Sequence, residues 1–162
     1  MISFLSLLIL VFINTTSVAN ETDTVIEIYQ PRFSEKGLDQ KSYEIKAEKG
    51  IRNEGNLFLY KIEGKFKTDN GLWIYLEAKE GSFEETVNNI TLTNDVTFYT
   101  EFGDRITSDY ATFLINEEHI KFSDRVLHES IDAIIESDFI TVTNNFSEVK
   151  YKGNVITEIL YD

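Results

Sequence analysis

The sequence predicts an all-β protein, an elongated antiparallel structure of repeated strand pairs. Three observations predict it. A unit of 29 to 31 residues recurs, apolar and polar residues alternate, and one proline stands among many Val, Ile, Thr, Phe and Tyr residues. Alternation with period two is typical of strands with one buried face, and few prolines allow long strands. Because one copy of a repeat cannot bury its apolar side alone, neighbouring copies must stack.

The repeat has two kinds of marker. The first marker is a tetrapeptide, and its four copies are Ala47-Glu48-Lys49-Gly50, Ala78-Lys79-Glu80-Gly81, Ser108-Asp109-Tyr110-Ala111 and Ser137-Asp138-Phe139-Ile140. The second marker is a valine 18 residues after the start of each of the last three tetrapeptides: Val96, Val126 and Val155. This regularity favours an array of like units over an enzyme built around one pocket.

Composition limits the classes of function. The chain has 162 residues and a net charge of −13, which opposes binding to nucleic acid or to an anionic membrane surface. It has no cysteine, so a disulfide framework is excluded. A high net charge also keeps a β-protein with free sheet edges soluble.

The N-terminus predicts a targeting or anchoring segment. Residues 1–13 are apolar apart from Ser3 and Ser6, and the run extends less strictly to Ala19. At about 1.5 Å per residue, the segment 1–19 is a marginal membrane span. Ser17-Val18-Ala19 also fits a signal-peptide cleavage site. Retention of this segment and its cleavage are the two alternatives. In both cases the rest of the chain is exported. Residues 20–24 read as a polar linker.

A single β-domain is predicted over residues 25–162. Alternating segments occur along its whole length, as in Leu72-Trp73-Ile74-Tyr75-Leu76 and Ile140-Thr141-Val142-Thr143. Turn signals separate these segments, and they are Asp69-Asn70-Gly71, Asn88-Asn89, Asn94-Asp95, Asn144-Asn145 and Lys152-Gly153-Asn154. Turns at this spacing favour an antiparallel sandwich or roll. Residues 126–137 also fit one face of a helix, but the repeat register favours a strand there.

Catalytic and metal-binding patterns are missing from the sequence. His119 and His128 lie nine residues apart, without the spacing of metal ligands. No pair of carboxylates stands out, no serine has the context of a nucleophile, and the glycines are scattered. We therefore expect no enzyme, no cofactor and no metal. The remaining chemical feature is the apolar face of each strand, which is either a dry core or a surface that accepts an apolar ligand.

Several segments, in their order and spacing, resemble the LptC family of bacterial lipopolysaccharide export proteins over roughly residues 1–158. The segments are Val25 to Phe33 around Pro31, Tyr43-Glu44-Ile45-Lys46-Ala47, Leu76-Glu77-Ala78-Lys79-Glu80-Gly81, Ile90 and Leu92 with Val96, Gly103 to Ser108, and Tyr151-Lys152-Gly153-Asn154-Val155. The chain departs from the family in its short N-terminal segment, which lacks a basic cytoplasmic flank.

The resemblance implies an open antiparallel β-jellyroll of about 15 strands behind an N-terminal hydrophobic helix, with the domain in the periplasm and the helix in the inner membrane. It implies that lipopolysaccharide occupies the apolar interior. The residues expected to contact the lipid are Ile45, Ile74, Leu76, Leu92, Phe98, Phe113, Ile115 and Phe122. A soluble LptA-like bridge protein with the same fold, and an exported β-domain with a dry core, remain alternatives.

The resemblance further implies partner proteins at both sheet edges. The ABC transporter subunits of the inner membrane are expected near Val25, Ile26, Ile28 and Tyr29, and an LptA-like periplasmic bridge protein near Val149, Tyr151 and Val155. The C-terminal segment ends the chain, so its free backbone groups are expected to pair with a strand of that partner. Lys150 and Lys152 are typical guards against wrong pairing at such an edge.

Overall fold

The computed structural model describes residues 25–36, 42–53, 55–68, 71–84, 89–114, 119–143 and 148–161. These residues form eleven strands and no helix, which confirms the all-β prediction. The strands are β1 (Ile26–Tyr29), β2 (Arg32–Lys36), β3 (Ser42–Asn53), β4 (Asn56–Lys67), β5 (Trp73–Glu84), β6 (Asn89–Thr100), β7 (Arg105–Leu114), β8 (His119–Glu129), β9 (Ala133–Thr143), β10 (Glu148–Lys152) and β11 (Ile156–Ile159).

All eleven strands belong to one antiparallel sheet in which β3 to β9 follow each other in chain order. The outer edge of β3 pairs with β1 and β2, and the outer edge of β9 pairs with β10 and β11. Each edge of the sheet is therefore one strand broken into two short pieces. The breaks fall at Gln30-Pro31 and at Gly153-Asn154, where proline and a left-handed glycine interrupt regular pairing.

Alternation along the strands places the core on one face of the sheet. In β5, Ile74, Leu76 and Ala78 are buried, whereas Trp73 and Tyr75 lie on the opposite face. The ambiguous residues 126–137 form the end of β8, a turn and the start of β9, so the strand prediction is confirmed there. Neighbouring long hairpins then bury each other's apolar faces, as expected for stacked repeats.

A line of bulges crosses the middle of the sheet. The register shifts between Thr93 and Val96 of β6 and between Ser123 and Val126 of β8, where the extra residues have positive φ. These residues are Asn94, Asp95, Asp124 and Arg125, and Lys61 of β4 has the same conformation. Bulges bend a strand and increase its twist. Asn94-Asp95 was expected to reverse the chain, and this expectation was wrong, because β6 continues through it.

The tetrapeptide markers of the repeat lie opposite these positive-φ residues, and polar contacts join the two. Glu48 contacts Lys61 with 2.5 Å between Oε2 and Nζ, and Asp95 contacts Lys79 with 2.5 Å between Oδ2 and Nζ. Arg125 donates to Asp109, and Asn154 donates to Asp138 over 3.0 Å. The 30-residue repeat thus marks the place where each hairpin bends.

The bulge line folds the sheet over, so that its two parts face each other. We call one part half-sheet A. It contains β2 and β11, the C-terminal ends of β4, β6 and β8, and the segments of β3, β5, β7 and β9 that pair with them. Half-sheet B contains β1, β10 and the remaining segments. Phe98 of half-sheet A and Phe122 of half-sheet B are two strands apart, yet their ring centroids lie 5.1 Å apart in an edge-on contact. Their partners on β7 are Ile106 and Ala111. In a flat sheet, this offset of five positions would alone separate the two rings by about 16 Å.

Some expectations lie outside the described residues: the N-terminal helix of residues 1–19, the linker of residues 20–24, and Ile115. Within the described ranges, no helix is long and apolar enough to cross a membrane. The eleven described strands compare with about 15 implied by the resemblance. Gly153-Asn154 was expected to be a turn, but both flanking strands pair with β9, so the chain bends there without reversing.

We predict that Phe122→Ala lowers the free energy of unfolding by about 3–5 kcal/mol, because it removes a fully buried ring from between the half-sheets. Urea unfolding followed by circular dichroism measures the change. Phe139→Ala is the matched control, since that side chain is 51% exposed and its loss should cost little. Equal destabilisation by both variants would contradict the assigned core.

Candidate functional site: the interior and the two sheet edges

The interior between the half-sheets contains the residues expected to bind lipid, as far as the structure describes them. Six of the eight belong to or pack against one apolar cluster between the half-sheets. Five of them are buried, namely Ile74, Leu76, Leu92, Phe98 and Phe122, and Ile45 is half-buried. Phe113 is half-buried against the same cluster. These seven side chains belong to or pack against one cluster, and their contact with lipid stays a prediction.

The interior is closed in this conformation. Phe122 and Val96 have no exposed surface, and Ile74 is 1% exposed. The Phe66 and Phe98 rings meet at a centroid distance of 6.4 Å, and Phe98 in turn contacts Phe122. An acyl chain could enter this space only if the two half-sheets moved apart, since every fully buried side chain already contacts neighbours on all sides.

The outer face of half-sheet A is polar and aromatic. Tyr75 and Tyr99 stack at 5.1 Å between centroids, and the Tyr99 hydroxyl donates to Glu77 over 3.1 Å. Burial and Glu77 raise the pKa of Tyr99. Lys65 lies 5.4 Å from the Trp73 ring centroid. These cross-strand pairs stabilise the sheet and cover its outer surface with charge and hydroxyl groups.

A polar contact joins the two half-sheets, and sequence reasoning missed it. His128 of half-sheet A stacks on Tyr151 of half-sheet B, with 2.5 Å between its Nδ1 and the tyrosine oxygen. Its Nε2 lies 3.8 Å from Asp104. Burial lowers the pKa of His128, and Asp104 only partly opposes this. Burial also raises the pKa of Tyr151. The contact depends on the fold, because 23 residues separate the two rings.

The N-terminal edge carries the first set of expected docking residues. Val25, Ile26 and Tyr29 are exposed, and Ile28 is half-buried. Glu27 accepts hydrogen bonds from Lys49 over 2.9 Å and from the Tyr29 hydroxyl over 3.0 Å, and Lys49 lowers its pKa. The edge thus combines exposed apolar side chains with the Glu27–Lys49 ion pair, along a strand of only four residues.

The C-terminal edge has two unlike pieces. Val149 and Tyr151 of β10 are half-buried against the core cluster, so they help to close the interior and are poorly placed to contact a partner. Strand β11 is exposed at every residue. Val155, immediately before it, is also exposed. Of the three residues expected to dock the bridge protein, only Val155 is therefore accessible on this surface.

The repeat register explains why Val155 is accessible. Val96 and Val126 occupy the same repeat position and are 0% and 2% exposed, whereas Val155 is 49% exposed. The first two are covered by the next repeat, and the described chain ends one strand after Val155. Terminal repeats of stacked arrays usually carry a polar cap. Here a core position is left uncovered.

The search for grouped metal ligands and the comparisons with known proteins found no match. Among the described residues, no three His, Cys, Asp or Glu side chains are grouped as metal ligands. No protein-family profile matches the chain, and no curated protein sequence matches it. The site is therefore defined by its physical chemistry alone: a closed apolar interior and two unlike open edges.

We predict that His128 makes stability pH-dependent near neutrality. Its pKa in the folded protein lies below the usual 6.5, so the unfolded chain takes up the proton first. Stability is complete above pH 6.5 and falls as the pH drops towards the folded pKa. The pKa values of three carboxylates, Glu27, Glu44 and Asp95, lie below the usual 4.5 for Glu and 3.8 for Asp. Their contribution to stability is therefore lost only at lower pH. Melting temperatures measured across this range should fall less in His128→Gln.

Proposed function

We propose that this protein is a component of lipopolysaccharide export, which accepts the lipid from an inner-membrane ABC transporter and passes it to a periplasmic bridge protein. The fold is then an open β-jellyroll whose interior holds the acyl chains. The observation that carries the proposal is the apolar interior between the half-sheets, together with Val155, which repeats the buried position of Val96 and Val126 but is 49% exposed. A second apolar domain placed there would continue the interior.

The physical chemistry of an acyl chain fits this interior. Twelve CH₂ groups moved from water into an apolar environment gain about 10 kcal/mol, so a lipid cannot cross an aqueous space unshielded. The backbone joins the two half-sheets only at the bulge line. Elsewhere they are held together chiefly by side-chain packing. Separation on the side of the hairpin ends would let acyl chains replace contacts such as Phe98 with Phe122. Sugars and phosphates would remain in water beside the acidic outer surface.

The partners follow from the two edges. The N-terminal edge, with Val25, Ile26 and Tyr29, faces the transporter subunits, and the C-terminal edge faces the bridge protein. An open strand pairs with a strand of a partner through backbone hydrogen bonds. Retention of residues 1–19 as a single membrane span would place the domain in the periplasm next to the inner membrane. Cleavage after Ala19 would instead give a soluble, LptA-like bridge protein.

A different function is favoured by one observation. The interior is packed without exposed surface at Phe122 and Val96, as in an ordinary dry core. An exported β-domain that binds partners at its edges and holds no lipid would need no more than this. The two functions differ in whether the half-sheets ever separate.

A photocrosslinking amino acid in place of Ile74, Leu92 or Phe98 should capture lipopolysaccharide in living cells. The same replacement at Trp73 or Thr91 should not, because these residues lie on the outer face of the same strands. Immunoblotting of the purified protein for lipopolysaccharide detects the adduct. Equal capture from both faces would contradict the inside and outside assignment, and no capture from any interior position would favour the dry core.

Membrane attachment gives a separate prediction. With residues 1–19 retained, the mature protein begins at or near Met1 and sediments with inner-membrane vesicles. Mass spectrometry of the purified protein determines its first residue. A soluble chain that begins at Asn20 would assign the protein to the bridge role and would leave the lipid-binding prediction unaffected.

A further inference from the structure

We infer that β11, together with the adjacent turn tips, forms the docking surface at the C-terminal edge, and that it takes a partner strand in which apolar residues alternate with Lys or Arg. The inference rests on the proposed docking role of this edge. It adds which strand makes the contact, β11, and which side chains the partner strand carries. It separates β11 from β10, which the sequence alone treated as one segment.

The two pieces of this edge differ in their side chains. Strand β10 carries Lys150 and Lys152, both exposed, and its apolar side chains pack on the core. Such lysines discourage pairing with a strand from another chain. In β11, Ile156 is 63% and Ile159 is 51% exposed, and the strand has no lysine or proline. The unguarded piece of the edge is therefore β11.

Apolar side chains extend this surface onto two neighbouring turns. Phe102 is 68% exposed in the turn between β6 and β7, and Ile131 is 75% exposed in the turn between β8 and β9. A Cβ atom built at Gly103 would lie 3.9 Å from Ile131, so these two turns touch. The Leu160 amide donates to the Asp132 carbonyl over 2.9 Å, which joins the end of β11 to the same place. The surface is thus one patch made by two hairpin turns and the end of β11.

The charge around the patch is acidic. Residues 126–149 and 153–162 contain no Lys or Arg. Glu101, Asp104, Asp132, Glu136 and Glu158 are all exposed in the strands and turns that form the patch. On β7, Arg105 pairs in register with Glu129. An apolar centre with an acidic rim is complementary to an apolar strand with basic side chains.

The net charge also differs between the N-terminal and C-terminal parts of the chain. Residues 25–67, which form β1 to β4, have nine Lys or Arg and seven Asp or Glu. Residues 68–162 have six Lys or Arg and nineteen Asp or Glu. The net charge is therefore +2 in the first part and −13 in the second. This field would draw a basic partner towards the C-terminal end, more strongly at low salt.

The test measures binding of a fluorescein-labelled strand peptide that alternates Val with Lys, using the full chain in lipid nanodiscs and fluorescence anisotropy. A matched peptide that alternates Val with Glu is the charge control. We expect only the Lys peptide to bind, and its affinity to fall steeply between about 0.05 M and about 0.5 M NaCl. Equal binding of both peptides would overturn the inference.

Two double variants locate the peptide without changing the charge. Ile156→Thr with Ile159→Thr should weaken binding about tenfold, because apolar contact is lost while a strand-forming residue remains. Val25→Thr with Ile26→Thr, at the other edge, should leave it unchanged. Loss of binding only in the second variant, or in neither, would overturn the inference. Salt-dependent dimers without peptide, abolished by either variant, would assign the surface to a second copy of this chain and also overturn it.

The outcome can be separated from that of the proposed function. If the peptide binds at β11 while no interior position captures lipopolysaccharide, the docking surface stands and the lipid role fails. If lipopolysaccharide is captured at Phe98 while the peptide does not bind, the lipid role stands and this inference fails.

Discussion

The bend at the bulge line is the constraint on which the rest of the structure depends. Asn94-Asp95 and Asp124-Arg125 adopt positive φ, a conformation that asparagine and aspartate tolerate better than most residues. The extra residues bend each hairpin and bring the two halves of one sheet face to face. Without this bend, the apolar face of a single sheet would lie open to water along its whole length.

The polar contacts across the bulges set the position of the bend more than its strength. Arg125 with Asp109 and Lys79 with Asp95 lie at the surface, where water and salt screen their attraction. Stability comes instead from the apolar contacts that the bend permits, such as Phe98 with Phe122.

The two edges of the described sheet differ. The N-terminal edge ends in a short strand near the least acidic part of the chain, with Glu27 held by Lys49. The C-terminal edge splits at Gly153, whose φ of 77° favours glycine and whose neighbour Asp138 leaves little room for a side chain. This split leaves β10 on the core and β11 uncovered.

The sequence by itself determined the strand content, the buried face of strands such as β5, and the length of the repeat, because these depend on local alternation and on spacing along the chain. It also placed the expected lipid-binding positions on one face. It did not distinguish a bulge from a turn at Asn94-Asp95, since both use the same residues. Only the tertiary structure brought His128 to Tyr151 and separated β10 from β11, because such contacts depend on how distant strands fold over one another.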